Sequence, residues 1–181
     1  MGSKSDGCEV IAQHTSTGSS DTVTFSSIPQ TFQHLQVLAS ISNNDSSKEY
    51  TLVHFNGDTT SYGYSIVYGD TSGEPSVMYN SGITYAYTGW HTNSQSTDTT
   101  GRNTYFELWV PDYSSSSKLG AAIVQSGVFD NNNVGGQSGG FHWDSTAAIT
   151  SITFTCGTGS DNWYGGQGNG YDSTWTLYGW T

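Results

Sequence analysis

Between Leu35 and Ile41 every second residue is apolar (Leu35, Val37, Ala39, Ile41), and Val23 and Phe25 keep the same rhythm earlier in the chain. A period of two belongs to a strand with one dry and one wet face, not to a helix. Ile28-Pro29-Gln30 separates the two runs. Pro29 has no N–H to give to a ladder and holds Ile28 extended, so the chain is expected to leave one strand there and turn directly into the next, the turn fixing their register.

The supply of side chains fits that beginning. Of 181 residues only 33% are hydrophobic and 10% charged, yet 14% are aromatic, so a thin core must rest on large rings. The length suits one domain with a real core. Helix formers are scarce, no window carries a sustained 3.6-residue apolar stripe, and Ser, Thr, Asn, Asp and 23 Gly furnish turns. The class read from this is all-β, with two layers.

Charge excludes some functions. Four basic residues (Lys4, Lys48, Arg102, Lys118) stand against 15 acidic ones, a net charge of −11, which leaves no patch to neutralise a run of phosphates. Direct nucleic-acid binding is not expected. No segment approaches the roughly 20 apolar residues of a membrane helix, and Met1–Gly7 reads as a polar leader, ordered by a partner, with no apolar signal core behind it. Cys8 and Cys156 are too few for a zinc motif and read as lone buried thiols.

Further strand candidates follow in order: Cys8–His14, Tyr50–Phe55 inside a sheet, Tyr62–Tyr68, a weaker pair around Val77–Tyr79 and Ile83–Tyr87, and Tyr105–Pro111. In the last, Phe106, Leu108 and Val110 face inward and Tyr105, Glu107 and Trp109 outward. Asn56-Gly57-Asp58 is a turn. Trp90–Asn103 is a long exposed excursion, Leu119–Val124 a strand, and Phe129–Gly140 an Asn- and Gly-rich loop. Phe141–Trp143, Ile149–Cys156 and Ser173–Trp180 close the fold. About ten to twelve short strands at this spacing, in a single domain over residues 8–181, predict an antiparallel, jelly-roll-like β-sandwich.

Several of these stretches together carry a resemblance. Phe25-Ser26-Ser27-Ile28-Pro29-Gln30-Thr31-Phe32, Phe55-Asn56-Gly57-Asp58, Tyr68-Gly69-Asp70, Pro111-Asp112-Tyr113, Thr146-Ala147-Ala148-Ile149-Thr150-Ser151-Ile152-Thr153 and Thr176-Leu177-Tyr178-Gly179 occur in this order. The chain resembles a family of small β-rich virion structural proteins of marine and cyanobacterial tailed phages, over about Cys8–Trp180. The resemblance implies a particle-surface protein, either a capsid decoration (cement) protein or a tail-fibre module, and brings no catalytic residues with it. The leader and the stretch Asp161–Asp172 depart from the family, which has shorter connections there.

Chemistry other than adhesion finds little to stand on. Glycoside hydrolysis of the small xylanase type needs two carboxyl groups about 5 Å apart for retention or about 6.5 to 9.5 Å for inversion. Glu107, between Tyr105 and Trp109, and Glu49 are the candidates, but neither sits in a sequence setting like those enzymes. Sugar binding without catalysis is better served. Asp161–Asp172 sets Trp163, Tyr164 and Tyr171 among amides and carboxylates, as a stacking platform would be; the same rings could instead pack over a sheet edge or a neighbour. His14, His34, His54, His91 and His142 are scattered, with no pair at a ligand spacing. Asp130-Asn131-Asn132-Asn133 and Asp161-Asn162 offer oxygen donors but lack the calcium-loop pattern, so no metal or cofactor is expected. No nucleophile elbow and no phosphate loop is present.

The expectation is therefore a non-enzymatic virion surface protein, a cement protein in first place and a glycan-recognising tail-fibre module in second, with a hydrolase behind both. It would act as a homo-oligomer, a trimer being favoured, bound to other virion proteins. Trp163, Tyr164, Tyr171, Tyr105 and Trp109 would be the contact rings, because Tyr and Trp anchor interfaces.

Overall fold

The computed structural model describes residues 7–18, 20, 22–42, 49–70, 73, 75–91, 103–130, 133–157, 163 and 172–181. The leader before Gly7, most of the excursion after His91, the Asx-rich tip 131–132 and most of the segment around Trp163 lie outside them. Twelve strands follow one another: β1 (Cys8–Thr15), β2 (Thr22–Phe25), β3 (His34–Ile41), β4 (Glu49–Phe55), β5 (Tyr62–Asp70), β6 (Ser76–Ile83), β7 (Ala86–His91), β8 (Thr104–Val110), β9 (Gly120–Asp130), β10 (Asn133–Trp143), β11 (Ile152–Cys156) and β12 (Thr174–Trp180). No helix occurs among the described residues.

The strands form a wide sheet of eight, in the order β1-β12-β3-β8-β9-β10-β5-β6, and a narrow sheet of four, β2-β11-β4-β7. Neighbours are antiparallel throughout. The chain is thus an all-β sandwich, as its alternation predicted; "jelly roll" is a finer designation than this strand order establishes. As expected, β4 lies inside its sheet, between β11 and β7.

The dry faces meet between the layers. On β3, Leu35, Val37, Ala39 and Ile41 are buried, and on β8 so are Phe106, Leu108 and Val110, as their alternation required. Rings join the two sheets: Phe154 of the narrow sheet meets Phe106 of the wide one edge-on at 5.8 Å, and Phe55 lies 5.5 Å from Phe141. Such pairs add about 0.5–1.5 kcal/mol each beyond the area they bury.

Two expectations are overturned. The strands on either side of Ile28-Pro29-Gln30 do not pair: β2 joins β11 in the narrow sheet, whereas β3 lies between β12 and β8 in the wide one. The segment 26–33 is a corner between layers. Alternation tells which face of a strand is dry but not which neighbour supplies its hydrogen bonds, and Pro29 ends pairing without choosing a partner. The second error is the loop at Phe129–Gly140. Residues 129–130 and 133–140 belong to two eleven-residue strands, β9 and β10, paired from Asp130↔Asn133 to Gly120↔Trp143. Glycine has no side chain, so a Gly-rich strand carries no alternation to read. Its place is set by ladders on both sides, to β9 and β5. Of the cysteines, Cys156 is buried as expected, Cys8 is exposed, and neither is in a disulfide.

Candidate functional site: the outer face of the wide sheet

Four of the six motifs that carry the resemblance (25–32, 55–58, 111–113 and 146–153) converge on one corner of the molecule and tie it together. Asn56, in the left-handed region at φ 55°, accepts through Oδ1 from the N–H groups of Thr150 (2.8 Å) and Ser151 (3.1 Å) and donates through Nδ2 to the Ala148 carbonyl at 2.9 Å. Ile28 N donates to Thr150 O at 3.0 Å, Gln30 Nε2 donates to Ile149 O at 3.0 Å, and the Tyr113 hydroxyl donates to Pro29 O. Trp143 Nε1 donates to Asp58 Oδ2 at 2.8 Å. Gly179 completes the set elsewhere: a Cβ on it would run into the Phe32 ring. These residues satisfy backbone groups, most of them part-buried, where the chain changes sheets.

Titratable groups cluster at the same corner. Burial is the main cause that lowers the His54 pKa, opposed by a hydrogen bond with the Thr84 backbone and by the charge of Asp58. Hydrogen bonds from Thr60 and Trp143 hold Asp58 below the ordinary carboxylate range. Burial pushes Tyr62 up to about 12; its hydroxyl accepts from Phe55 N at 2.8 Å. The roles visible here are structural.

The contact rings picked from the sequence fall in different places. Trp163 is a correction: 0% exposed, it meets Trp175 edge-on at 5.0 Å, with its backbone N–H donated to Ser20 O (3.1 Å) and its backbone carbonyl accepting from Ser16 Oγ (3.0 Å). A ring sealed in the core offers no stacking face to a ligand. Tyr164 and Tyr171 lie outside the described residues, as do the side chain of Glu49 and the Asx groups considered for calcium. Tyr105 and Trp109 stand on the outer face of the wide sheet, as alternation required, Tyr105 being 70% exposed.

Register assembles the remaining site. One transverse row reads Thr176, Leu38, Glu107, Gln125, Ser138, Val67, Val77 across β12, β3, β8, β9, β10, β5 and β6. Toward one end the next row contains Ser40, Tyr105, Gly127, Gly136 and Gly69; toward the other lie Gln36, Trp109, Ile123, Gly140, Ser65 and Tyr79. Strands are spaced about 4.8 Å, so β8 and β5, three spacings apart, leave about 14 Å between their backbones. The two strands between them carry glycines on this face. A Cβ at Gly127 or Gly136 would meet nothing within 4 Å. The missing side chains open a groove of about 1160 Å3, lined among others by Tyr105, Glu107, Gln125, Ser138, Leu38 and Val67.

One end of the groove is polar and braced. Trp180 Nε1 donates to Gln36 Oε1 at 3.1 Å, and Gln36 Nε2 donates to Glu107 Oε1 at 2.7 Å. His34, Trp109 and Trp180 pack around this chain, with ring centroids 5.4 Å and 5.8 Å apart. Glu107 is thus met by an amide, and no second carboxylate lines the groove among the described residues. The opposite rim is apolar: Val67 (51% exposed), Val77 (58%) and Tyr79 (79%) face outward beside the free edge of β6. Gln36, Gln125, Ser138 and the two floor glycines were missed from the sequence. Only Gln36 left a trace there, as a wet position of β3, and nothing local placed it beside Glu107. No group of three or more His, Cys, Asp or Glu able to hold a metal occurs among the described residues. Comparison with known proteins adds no neighbour: no family model, no curated protein and no solved structure matches this chain.

Proposed function

We propose that this protein is a non-enzymatic structural component of the surface of a tailed-phage particle, acting as a capsid decoration protein that docks on a capsid subunit. The observation that supports this reading is the apolar rim at β5 and β6. There Val67, Val77 and Tyr79 stand in water on the last two strands of the wide sheet, next to an edge that has no partner strand among the described residues. Edge strands of native proteins are blunted by charge, proline or brevity. The eight residues of β6, Ser-Val-Met-Tyr-Asn-Ser-Gly-Ile, hold no charge and no proline. Covering those three side chains releases about 25 cal/mol per Å2 of apolar area, and Tyr is a frequent anchor of interfaces.

The resemblance of the corner motifs to virion structural proteins points the same way. Glu107, engaged by Gln36 and without a second carboxylate in the groove among the described residues, gives no support to hydrolysis. The tail-fibre reading draws on a separate observation, the open groove beside Tyr105.

The test is location and docking. Electron microscopy of purified virions is expected to place the protein on the head, and purified protein is expected to bind undecorated heads. Val77→Lys and Tyr79→Lys are each expected to weaken that binding by about tenfold or more, the equivalent of about 1.4 kcal/mol. Absence from purified virions would overturn the reading.

A further inference from the structure

We propose that the groove between β8 and β5 is a binding site for a neutral oligosaccharide, distinct from the apolar docking rim. Three observations carry it. First, the hollow is built from missing side chains: Gly127 and Gly136 both point open positions at it, in strands whose neighbours on this face carry Tyr105, Gln125, Ser138 and Val67. Glycine weakens a strand interior, so its use where a Cβ would meet no obstacle marks an approach by something else.

Second, the row Glu107, Gln125, Ser138 supplies a carboxylate, an amide and a hydroxyl in line at strand spacing, and Tyr105 stands at the groove with most of its surface in water. Planar hydrogen-bonding groups beside an aromatic ring match a pyranose, which has hydroxyls at its edge and C–H groups on its face. Glu107 is already oriented, because the Trp180–Gln36 chain takes its Oε1 and leaves Oε2 as an acceptor. An ordered acceptor loses little freedom on binding.

Third, charge and backbone pairing exclude the competing ligands. No Lys or Arg lines the groove among the described residues, and its one carboxylate belongs to a chain of net charge −11, so phosphates, sulfates and acidic sugars are disfavoured. An extended peptide binds sheets by adding to a free edge. Here the floor strands β9 and β10 are paired on both sides, so they have no free edge to give.

The biological sense of such a site rests on display at a particle surface, as proposed above, but the binding is a property of the isolated protein. The probe is a printed array of neutral and acidic oligosaccharides, followed by saturation-transfer NMR of the neutral sugars retained. Neutral sugars are expected to bind. Gly136→Val fills the groove at an open outward position, and Gly127→Val serves the same end should the first fold poorly. Each should leave the melting temperature unchanged or higher and reduce binding by about tenfold or more, and Tyr105→Ala should do likewise to binding. Val77→Lys should leave sugar binding intact while impairing docking to heads, so failure of docking and failure of the groove are read separately. The inference is overturned if no neutral sugar binds, if acidic sugars bind better, if the filled groove binds as the native one does, or if Val77→Lys abolishes sugar binding.

Discussion

Trp109 comes from a strongly alternating stretch and Trp163 from a polar, Gly-rich one, and they end in opposite environments. Trp109 stands on the outer face of β8, half-buried between His34 and Trp180. Trp163 is sealed against Trp175. The difference lies in what anchors each ring. Trp109 belongs to an alternating strand, so the dry positions Phe106, Leu108 and Val110 force it outward. Trp163 has no such neighbours, and its ring goes where an uncovered apolar surface waits, over the β12 residue Trp175. A ring in a polar segment is therefore evidence of exposure only when the segment has a period.

Truncating the two rings measures that contrast and should give the largest effect. Trp163→Ala is expected to cost about 3–5 kcal/mol, and Trp109→Ala about 1 kcal/mol or less, by urea unfolding. Equal losses would break the comparison, since both rings would then be core.

Strand β10 offers a smaller version of the same contrast. Gly139 faces inward, where a Cβ would strike the Ser65 carbonyl oxygen and sit 2.7 Å from Ile66 Cα, both backbone; Gly136 faces outward into open space. Gly139→Ala is expected to destabilise by about 1–3 kcal/mol, whereas Gly136→Ala should be neutral or slightly stabilising. A harmless Gly139→Ala would mean that β10 and β5 are not packed as described.

The smallest effect separates two groups of one corner by pH. Because burial lowers the His54 pKa from 6.5, the unfolded state takes up a proton first as pH falls. Stability is then present above about pH 6.5 and declines as pH drops below it, down to the folded pKa. Asp58 is held below its ordinary 3.8 by Thr60 and Trp143, so its contribution is present above that value and fades as pH falls through its folded pKa. Urea midpoints between pH 8 and pH 3 should fall in two stages. His54→Gln should flatten the first stage and keep the second, and Asp58→Asn should do the reverse. A native midpoint constant between pH 7 and pH 5 would refute the role of His54.

The corner motifs show why that region was legible as continuous stretches of sequence when the groove was not. Asn56, Gln30, Tyr113 and the 148–151 backbone hold one another, so a change in any one leaves a part-buried donor or acceptor without its partner. That constraint leaves a local signature. The groove has none, because its residues come from six strands and its floor is an absence of side chains.

By itself the sequence determined the class, most strands and their dry faces, since alternation and burial are coupled within a few residues. It also placed Tyr105, Glu107 and Trp109 together on a wet face. Tertiary structure alone decided that β2 and β3 lie in opposite sheets, that a Gly-rich stretch is strand, that Trp163 is core, and that Glu107, Gln125, Ser138 and Val67 share a row. Packing against Trp175 sets the place of Trp163, and hydrogen-bond pairing between distant strands sets the other three, since a ladder is satisfied by backbone groups that every residue carries alike.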